Sequence, residues 1–306
     1  MDNLTHSLIG AVLGQAGLKR KTGLAMPALI IAANLPDIDA TCTIFGVESL
    51  AMRRGLTHGP VALLVLPLLL AGGLILFDRW QARRGKRPAA RAPVNPAWLI
   101  ALCYLGTLTH PAFDWLNTYG IRLLEPLSST WFYGDALFII DPWLQAMLGG
   151  GIWLSWRREL ASAPRWPRPA RSAIAGVLAY VALNLAISAQ AVADLRRTVP
   201  QATMVTANPV PLAFWQREVL VRTDRSYASY ASVPFLAPKV SVGPLPIGMS
   251  DPRITGRTRG NPAAQAFLFW SRLPVAEIAG ETIVLKDQRF SQLGVRDRFT
   301  VALKPQ

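Results

Sequence analysis

Residues 59–77 read GPVALLVLPLLLAGGLILF, a run of nineteen residues without a charged side chain. As a helix rising about 1.5 Å per residue, this run nearly crosses a bilayer hydrocarbon core of about 30 Å. Longer apolar runs follow at Pro96–Leu116, Ala136–Trp156 and Ser172–Ala193, and two shorter ones precede it at Thr5–Leu18 and Leu24–Leu35. The pattern predicts a mainly α-helical, polytopic membrane domain over residues 1–193.

The composition and the placement of charge agree with a membrane protein. Hydrophobic residues make up 51% of the chain and charged residues 16%, which is typical of membrane proteins rather than soluble enzymes. The net charge of +14 is concentrated within residues 19–21, 79–91 and 157–171, in alternate connections between the apolar runs. By the positive-inside rule these three basic clusters face the cytoplasm. We therefore expect contact with membrane lipids and no nucleic-acid binding.

The chain changes character after about Ala193. Four segments alternate polar and apolar residues between Gly, Pro and Asp: REVLVRTDRSYASYAS (217–232), FLFWSRLPVAEI (267–278), ETIVLKDQRF (281–290) and RFTVALK (298–304). Such alternation predicts a small β-rich domain over residues 194–306. Counting the spans from the basic clusters places this domain outside the cytoplasm. The two cysteines, Cys42 and Cys103, lie in no metal-type pair, and we expect buried or nearly buried thiols.

All three histidines occur in a Thr-His dipeptide, and the predicted topology brings them to one side of the membrane. His6, His58 and His110 lie at helix ends away from the basic clusters. Five carboxylates share that side, namely Asp37, Asp39, Asp114, Asp135 and Asp141. Because His110 and Asp114 are four residues apart, they lie on one helical face. Ionisable groups near apolar helices are costly unless paired, hydrated or bound to a cation, so this side is the candidate functional site.

Mixed imidazole and carboxylate ligands are the set used for zinc, manganese or iron, whereas carboxylates alone would suit magnesium or calcium. A buried polar network that holds the short helices together is the alternative reading of the same residues.

Four motifs in order resemble the YdjM-like family of bacterial inner-membrane proteins, which are described as metal-dependent hydrolases. The stretches are THSLIGAVLG, LPDID, RRGLTH and THPAFDWLNTYG, followed by EPLSSTWFYGD and IIDP, within residues 1–145. The resemblance implies a membrane-embedded hydrolase with the metal ligands His6, Asp37, His58, His110 and Asp114. Arg53 stands where the family often has a histidine, so a site of one or two ions is expected.

The resemblance also suggests roles for neighbouring residues in a hydrolase. Arg54, with Arg53 as the alternative, is suited to grip a phosphate with two hydrogen bonds, although an arginine here would serve equally at a lipid headgroup. Asp39 or Asp135 would act as a base or orient a ligating histidine. Zinc is the expected ion and manganese the alternative.

The expected substrate is a phosphoester of a lipid or envelope component, reached from the outer face of the bacterial inner membrane. A non-catalytic membrane protein with a structural metal or polar cluster is the alternative.

Overall fold

A computed structural model describes residues 1–290 and 299–304. The chain packs into two compact units. The first, here called the helical unit, comprises residues 1–38 and 54–184, and the second comprises residues 39–53 and 185–306. The helices are α1 (Asn3–Gln15), α2 (Ala25–Asn34), α3 (Ser49–Met52), α4 (Pro60–Arg83), α5 (Pro96–Trp115), α6 (Pro142–Leu160), α7 (Arg168–Thr198), α8 (Pro252–Thr258) and α9 (Pro262–Trp270).

Helix starts in the helical unit follow proline and capping signals. Asn95 accepts a hydrogen bond from Trp98 N at 3.1 Å at the start of α5, and Asp141 accepts one from Leu144 N at 3.0 Å at the start of α6. Each cap is followed by proline at the first helical position, where its missing N–H costs nothing. The predicted helix start at Ala136 is therefore wrong, since α6 begins six residues later.

Small residues let α2 pack closely against its neighbours. A Cβ added at Gly10 of α1 would lie 2.6 Å from Leu29 O, and one added at Gly106 of α5 would lie 2.7 Å from the Ala32 side chain. Close approach through glycine and alanine is common between membrane helices. This packing matters for function because it brings the end of α2 against the last turns of α5.

Three segments of the described chain are long and apolar enough to cross a membrane, namely Ala25–Met52, Pro60–Arg83 and Arg168–Thr198. Helix α4 shows the membrane character most clearly, since only 11% of its apolar window is buried inside the protein. Leu64, Leu68 and Leu69 are among its exposed side chains. Exposed leucines along a whole helix are costly in water and favourable in lipid. The predicted spans at Pro96–Leu116 and Ala136–Trp156 correspond to helices α5 and α6.

The second unit contains two antiparallel sheets, as the alternating segments predict. Strands β1 (Met204–Pro209), β2 (Arg217–Arg222), β3 (Ser226–Ser232) and β4 (Lys239–Pro246) pair in sequence order. Strands β5 (Pro274–Ala279), β6 (Thr282–Asp287) and β7 (Thr300–Leu303) form the other sheet. Arg298, at the start of the last predicted strand segment, lies outside the described residues.

One of the predicted strand segments is partly helical. Residues 267–270, with sequence FLFW, form the end of α9, so their assignment to a strand is wrong. Asn261 caps this helix by accepting from Ala264 N at 3.1 Å, and Pro262 follows it. Phe267 and Trp270 are fully buried. Both cysteines are free, with Cys103 buried and Cys42 half-buried.

Candidate metal centre

Four side chains that could hold a metal ion meet at helix ends in the helical unit. Asp37 lies in the 3-10 segment Leu35–Glu48 that follows α2, and His58 ends the 3-10 turn Leu56–His58 before α4. His110 and Asp114 lie on the last turns of α5. One ligand atom from each of these four residues lies within 4.8 Å of all the others, and all four residues are buried.

The spacing of these donor atoms is that of a four-coordinate site. His110 Nε2 lies 3.1 Å from His58 Nε2, 3.5 Å from Asp114 Oδ2 and 3.6 Å from Asp37 Oδ1. His58 Nε2 lies 3.4 Å from Asp114 Oδ2. Donors held at about 2.1 Å from one ion at tetrahedral angles are about 3.4 Å apart. The donor types suit a divalent ion, and these four distances are close to the tetrahedral value, while Asp37 lies within 4.8 Å of His58 and Asp114.

Hydrogen bonds on the far sides of the imidazoles aim the inner nitrogens at the centre. His110 Nδ1 lies 2.7 Å from Ala33 O, and because a carbonyl oxygen accepts only, this nitrogen must carry a proton. In neutral His110 the lone pair is then on Nε2, facing the other donors. Thr57 Oγ1 lies 2.9 Å from His58 Nδ1. Such outer contacts orient ligating histidines in metal sites.

Two lone pairs on facing nitrogens 3.1 Å apart repel unless a proton or a cation lies between them. A bound cation, a protonated His110 or a neutral His58 with its proton on Nε2 resolves this arrangement. The donor set thus supports either a metal site or a charged polar network, the two readings that the sequence leaves open.

His6 lies beside the four donors rather than among them. Its ring stacks on that of His110 with centroids 3.8 Å apart, and its Nε2 lies 3.3 Å from Asp114 Oδ1. The Met1 nitrogen contacts the same oxygen. His58 and His110 approach the other oxygen of Asp114, so His6 contacts the group of four through Asp114 Oδ1 and through its ring stack on His110.

Arg54 holds Asp114 in place. Its Nε lies 3.1 Å from Asp114 Oδ2 and its Nη2 lies 3.2 Å from Asp114 Oδ1, a two-point contact between buried groups. Its Nη1 donates to Asn117 Oδ1 at 2.9 Å, and the guanidinium covers the ring of Tyr119 at 4.7 Å. These contacts favour a positioning role for Arg54, and the phosphate grip stays a prediction.

The loop between α5 and α6 packs on the segment that carries Arg54 and His58. Arg122 N donates to Arg54 O at 2.9 Å, and an isolated antiparallel bridge between Ile121 and Phe132 stiffens the loop. Gly55 lies directly under the Arg122 guanidinium, where a Cβ would clash. The loop therefore fixes the entry to helix α4, and with it the position of His58.

The two predicted bases are not members of the four-residue group. Asp39 is buried in the 3-10 segment after α2 and is assigned to the second unit, as is Arg53. Asp135 is half-buried with a positive φ of 49°. The residues on either side of it bond to the end of α5, Gly134 N to Trp115 O at 2.6 Å and Ala136 N to Leu116 O at 2.8 Å.

Two groups near the centre, the Ala33 carbonyl and the Arg122 side chain, are not predicted from the sequence. The Ala33 carbonyl that fixes the His110 tautomer has no sequence signal, because any residue offers the same group. Arg122 is a charged residue between apolar neighbours, and this isolation is a signal that could have marked it as buried. Among the threonines before the histidines, Thr57 contacts its histidine, whereas Thr5 bonds to Asp2.

Comparison with known proteins finds a family match for the N-terminal part of the chain. A protein-family model described as YdjM inner membrane protein matches residues 1–192. This range contains every residue of the four-donor group. No curated protein and no solved structure matches the chain.

Proposed function

This chain belongs to the YdjM inner membrane protein family, and we propose that it is a membrane-bound metal-dependent hydrolase. The proposal rests mainly on the buried group of Asp37, His58, His110 and Asp114, in which one ligand atom from each residue lies within 4.8 Å of all the others. The proposed reaction is cleavage of a phosphoester in a lipid or envelope substrate at the outer face of the membrane.

Zinc is the proposed ion, with manganese as the alternative, because two imidazoles and two carboxylates form a borderline donor set. A bound divalent ion supplies Lewis acidity, which activates water near neutral pH and polarises a phosphoryl oxygen. The residues of the chain position the donors. Arg54 fixes Asp114, Ala33 O fixes the tautomer of His110, and Thr57 orients His58.

Proton transfer needs a base near the ion. Asp135, close to the end of α5, is the proposed base, and His6 is a second titratable group, in contact with Asp114. In this proposal His6 exchanges protons with the site rather than ligating the ion that the four donors hold.

The proposed orientation follows from the basic clusters. Lys19–Lys21 follow the end of α1, Arg157 and Arg158 end α6, and both helices begin at the end that carries the candidate centre. With the clusters in the cytoplasm, the centre faces the outer leaflet side and the chain after α7 lies outside the cytoplasm. This supports a multi-pass protein with an extracytoplasmic C-terminal domain.

A non-catalytic membrane protein with a structural metal or polar cluster is the second candidate. The observation that favours it is burial, since His58, His110 and Asp114 are each 0% exposed. A structural site needs no open position for water, whereas a catalytic site does.

The deciding experiment combines metal analysis with a hydrolysis assay. Purified protein should contain one or two equivalents of a transition metal and release phosphate or headgroup from reconstituted phospholipids or lipid phosphates. Chelator and Asp114→Asn should each abolish release. Asp78→Asn is the matched control, because Asp78 is a buried carboxylate near the other end of α4.

Metal bound at full occupancy without turnover on the whole panel would support the structural alternative. Turnover that survives both chelator and Asp114→Asn would refute the proposed mechanism.

A further inference from the structure

A cavity of about 710 Å³ lies at the basic end of the helical unit. Its walls come from the connection after α1, the start of α2, the segment before α5 and the end of α6. Three basic residues line it, Lys19, Arg20 and Arg91, together with Glu159. We call this space the basic-end cavity.

The walls of the basic-end cavity are fixed by backbone contacts. Gly23 N donates to Pro93 O at 3.0 Å, and Asn95 N donates to Thr22 Oγ1 at 2.7 Å. A side chain at Gly23 would clash with the carbonyl of Ala92, so the two segments touch directly. The cavity is therefore a built feature of the fold rather than a gap between loose loops.

Its charge is positive. Glu159 pairs with Lys19 and lies 3.8 Å from Arg20, so one acid offsets part of the charge of two bases. Arg91 forms an ion pair with Asp78, with Nη1 and Oδ1 3.4 Å apart. Three lining bases, the lining acid Glu159 and the Asp78 that pairs with Arg91 leave an excess of one positive charge, which suits an anionic ligand.

The start of α2 adds to this field. Leu24 takes the N-cap position in the left-handed region, with φ of 63°, and no side chain caps the helix. Leu24, Ala25 and Met26 all line the cavity. The first N–H groups of a helix carry its positive dipole end and are suited to anions.

Tryptophans at this end mark the membrane surface. The centre of the Trp166 ring lies 4.9 Å from Lys19 Nζ and 4.6 Å from Arg20 Cζ. The centre of the Trp98 ring lies 4.9 Å from Lys21 Nζ. Tryptophan beside lysine and arginine is typical of the headgroup layer. Pro27 and Ala90 are exposed apolar residues that also line the cavity.

We propose that the basic-end cavity binds the phosphate headgroup of an anionic phospholipid. Basic pockets between membrane helices are the usual receptors for such headgroups. The site is separate from the candidate metal centre, because His6 lies in the first turn of α1, a helix about 20 Å long that Lys19 follows. The inference therefore does not depend on the hydrolase proposal.

The test is lipid binding by the full-length chain purified in a neutral detergent. Phosphatidylglycerol, phosphatidylcholine and soluble glycerol phosphate are titrated in turn and bound ligand is counted by native mass spectrometry. The test variant is Lys19→Gln with Arg20→Gln. The matched control is Arg79→Gln with Arg83→Gln, which removes two exposed charges from α4, outside the cavity.

Each basic residue near an anionic surface contributes about fivefold in affinity, so the test variant should bind phosphatidylglycerol about 30-fold more weakly. The control should retain affinity within about threefold, and phosphatidylcholine should bind weakly to both. Thermal unfolding of the two variants checks that the fold is intact. Equal weakening by test and control would overturn the site, and tight binding of glycerol phosphate would assign it to a soluble phosphate instead of a lipid.

Discussion

Replacing Asp114 by Asn is the sharpest perturbation of the candidate centre. The amide keeps the volume of the carboxylate but removes its charge and one acceptor. Asp114 is fully buried and faces Arg54 at 3.1 and 3.2 Å, His58 at 3.4 Å and His110 at 3.5 Å. The substitution therefore removes a metal donor and the counter-charge of Arg54 together.

The two losses have different origins and can be separated. Breaking a buried ion pair from one side costs about 3–5 kcal/mol, because the remaining charge stays buried without its partner. A bound ion at a thousand times its Kd adds about 4 kcal/mol to the stability of the wild type. Chelated wild type loses the second contribution alone, whereas Asp114→Asn loses both.

The assay measures metal content by mass spectrometry and unfolding by titration with a denaturing detergent. We expect Asp114→Asn to bind no metal, to be less stable than chelated wild type by about 3–5 kcal/mol, and to gain nothing from added zinc. Replacing both partners, with Asp114→Leu and Arg54→Met, should recover most of that loss while metal binding stays absent. Full metal content in Asp114→Asn, or stability equal to that of chelated wild type, would refute this reasoning.

Three further predictions concern other parts of the molecule. Thr57→Val removes the hydroxyl 2.9 Å from His58 Nδ1 and should lower metal affinity about 10–100-fold in competition with a chelating dye, and unchanged affinity would count against the orienting role. A reporter enzyme fused after Gln306 should be active only outside the cytoplasm, and activity inside would invert the proposed topology. Burial acts to raise the pKa of the Asp287 carboxyl, but the Arg289 guanidinium holds that pKa below its usual value, so the stabilisation is present above about pH 4 and should disappear in acid. Asp287→Asn should flatten that acid-side loss in an unfolding series followed by fluorescence, and an unchanged pH profile would contradict the assignment.

The apolar runs of the sequence predict the helical fold, but they do not predict every helix boundary. Residues 136–140 are ALFII, which continue into the apolar run of α6 and so resemble its beginning. The Asp141–Pro142 pair sets the true start, because the cap and the proline each favour that position. Likewise the pattern of segment 267–278 suggests a strand from its first residue, whereas Asn261 and Pro262 begin a helix that contains residues 267–270.

The sequence predicts which helix ends meet at the candidate centre. Ionisable residues in apolar helices and the alternation of basic clusters are sequence signals, and they bring Asp37, His58, His110 and Asp114 to one side. The separate position of His6 is not readable, because it depends on a 3.8 Å ring stack between α1 and α5. The pairing of Arg54 with Asp114 depends on the path of the chain through residues 53–59, where Arg54 takes a positive φ of 52°.

The charge around the donors bears on what the site does. The Met1 amine contacts Asp114 and adds one positive charge when it is protonated. Without it, Asp37 and Asp114 carry two negative charges and the Arg54 guanidinium cancels one of them, so neutral imidazoles leave one net negative charge in a buried position. A divalent ion converts this to one net positive charge. Uncompensated charge between apolar helices is unfavourable, so the loaded centre would favour a further anion. In a purely structural site, the charges of the ligands would be expected to balance the charge of the ion. Asp37 and Asp114 would do so for a divalent ion if Arg54 were absent. The arginine beside a metal donor therefore supports the proposed anionic substrate, and a phosphoester is one class of such substrates.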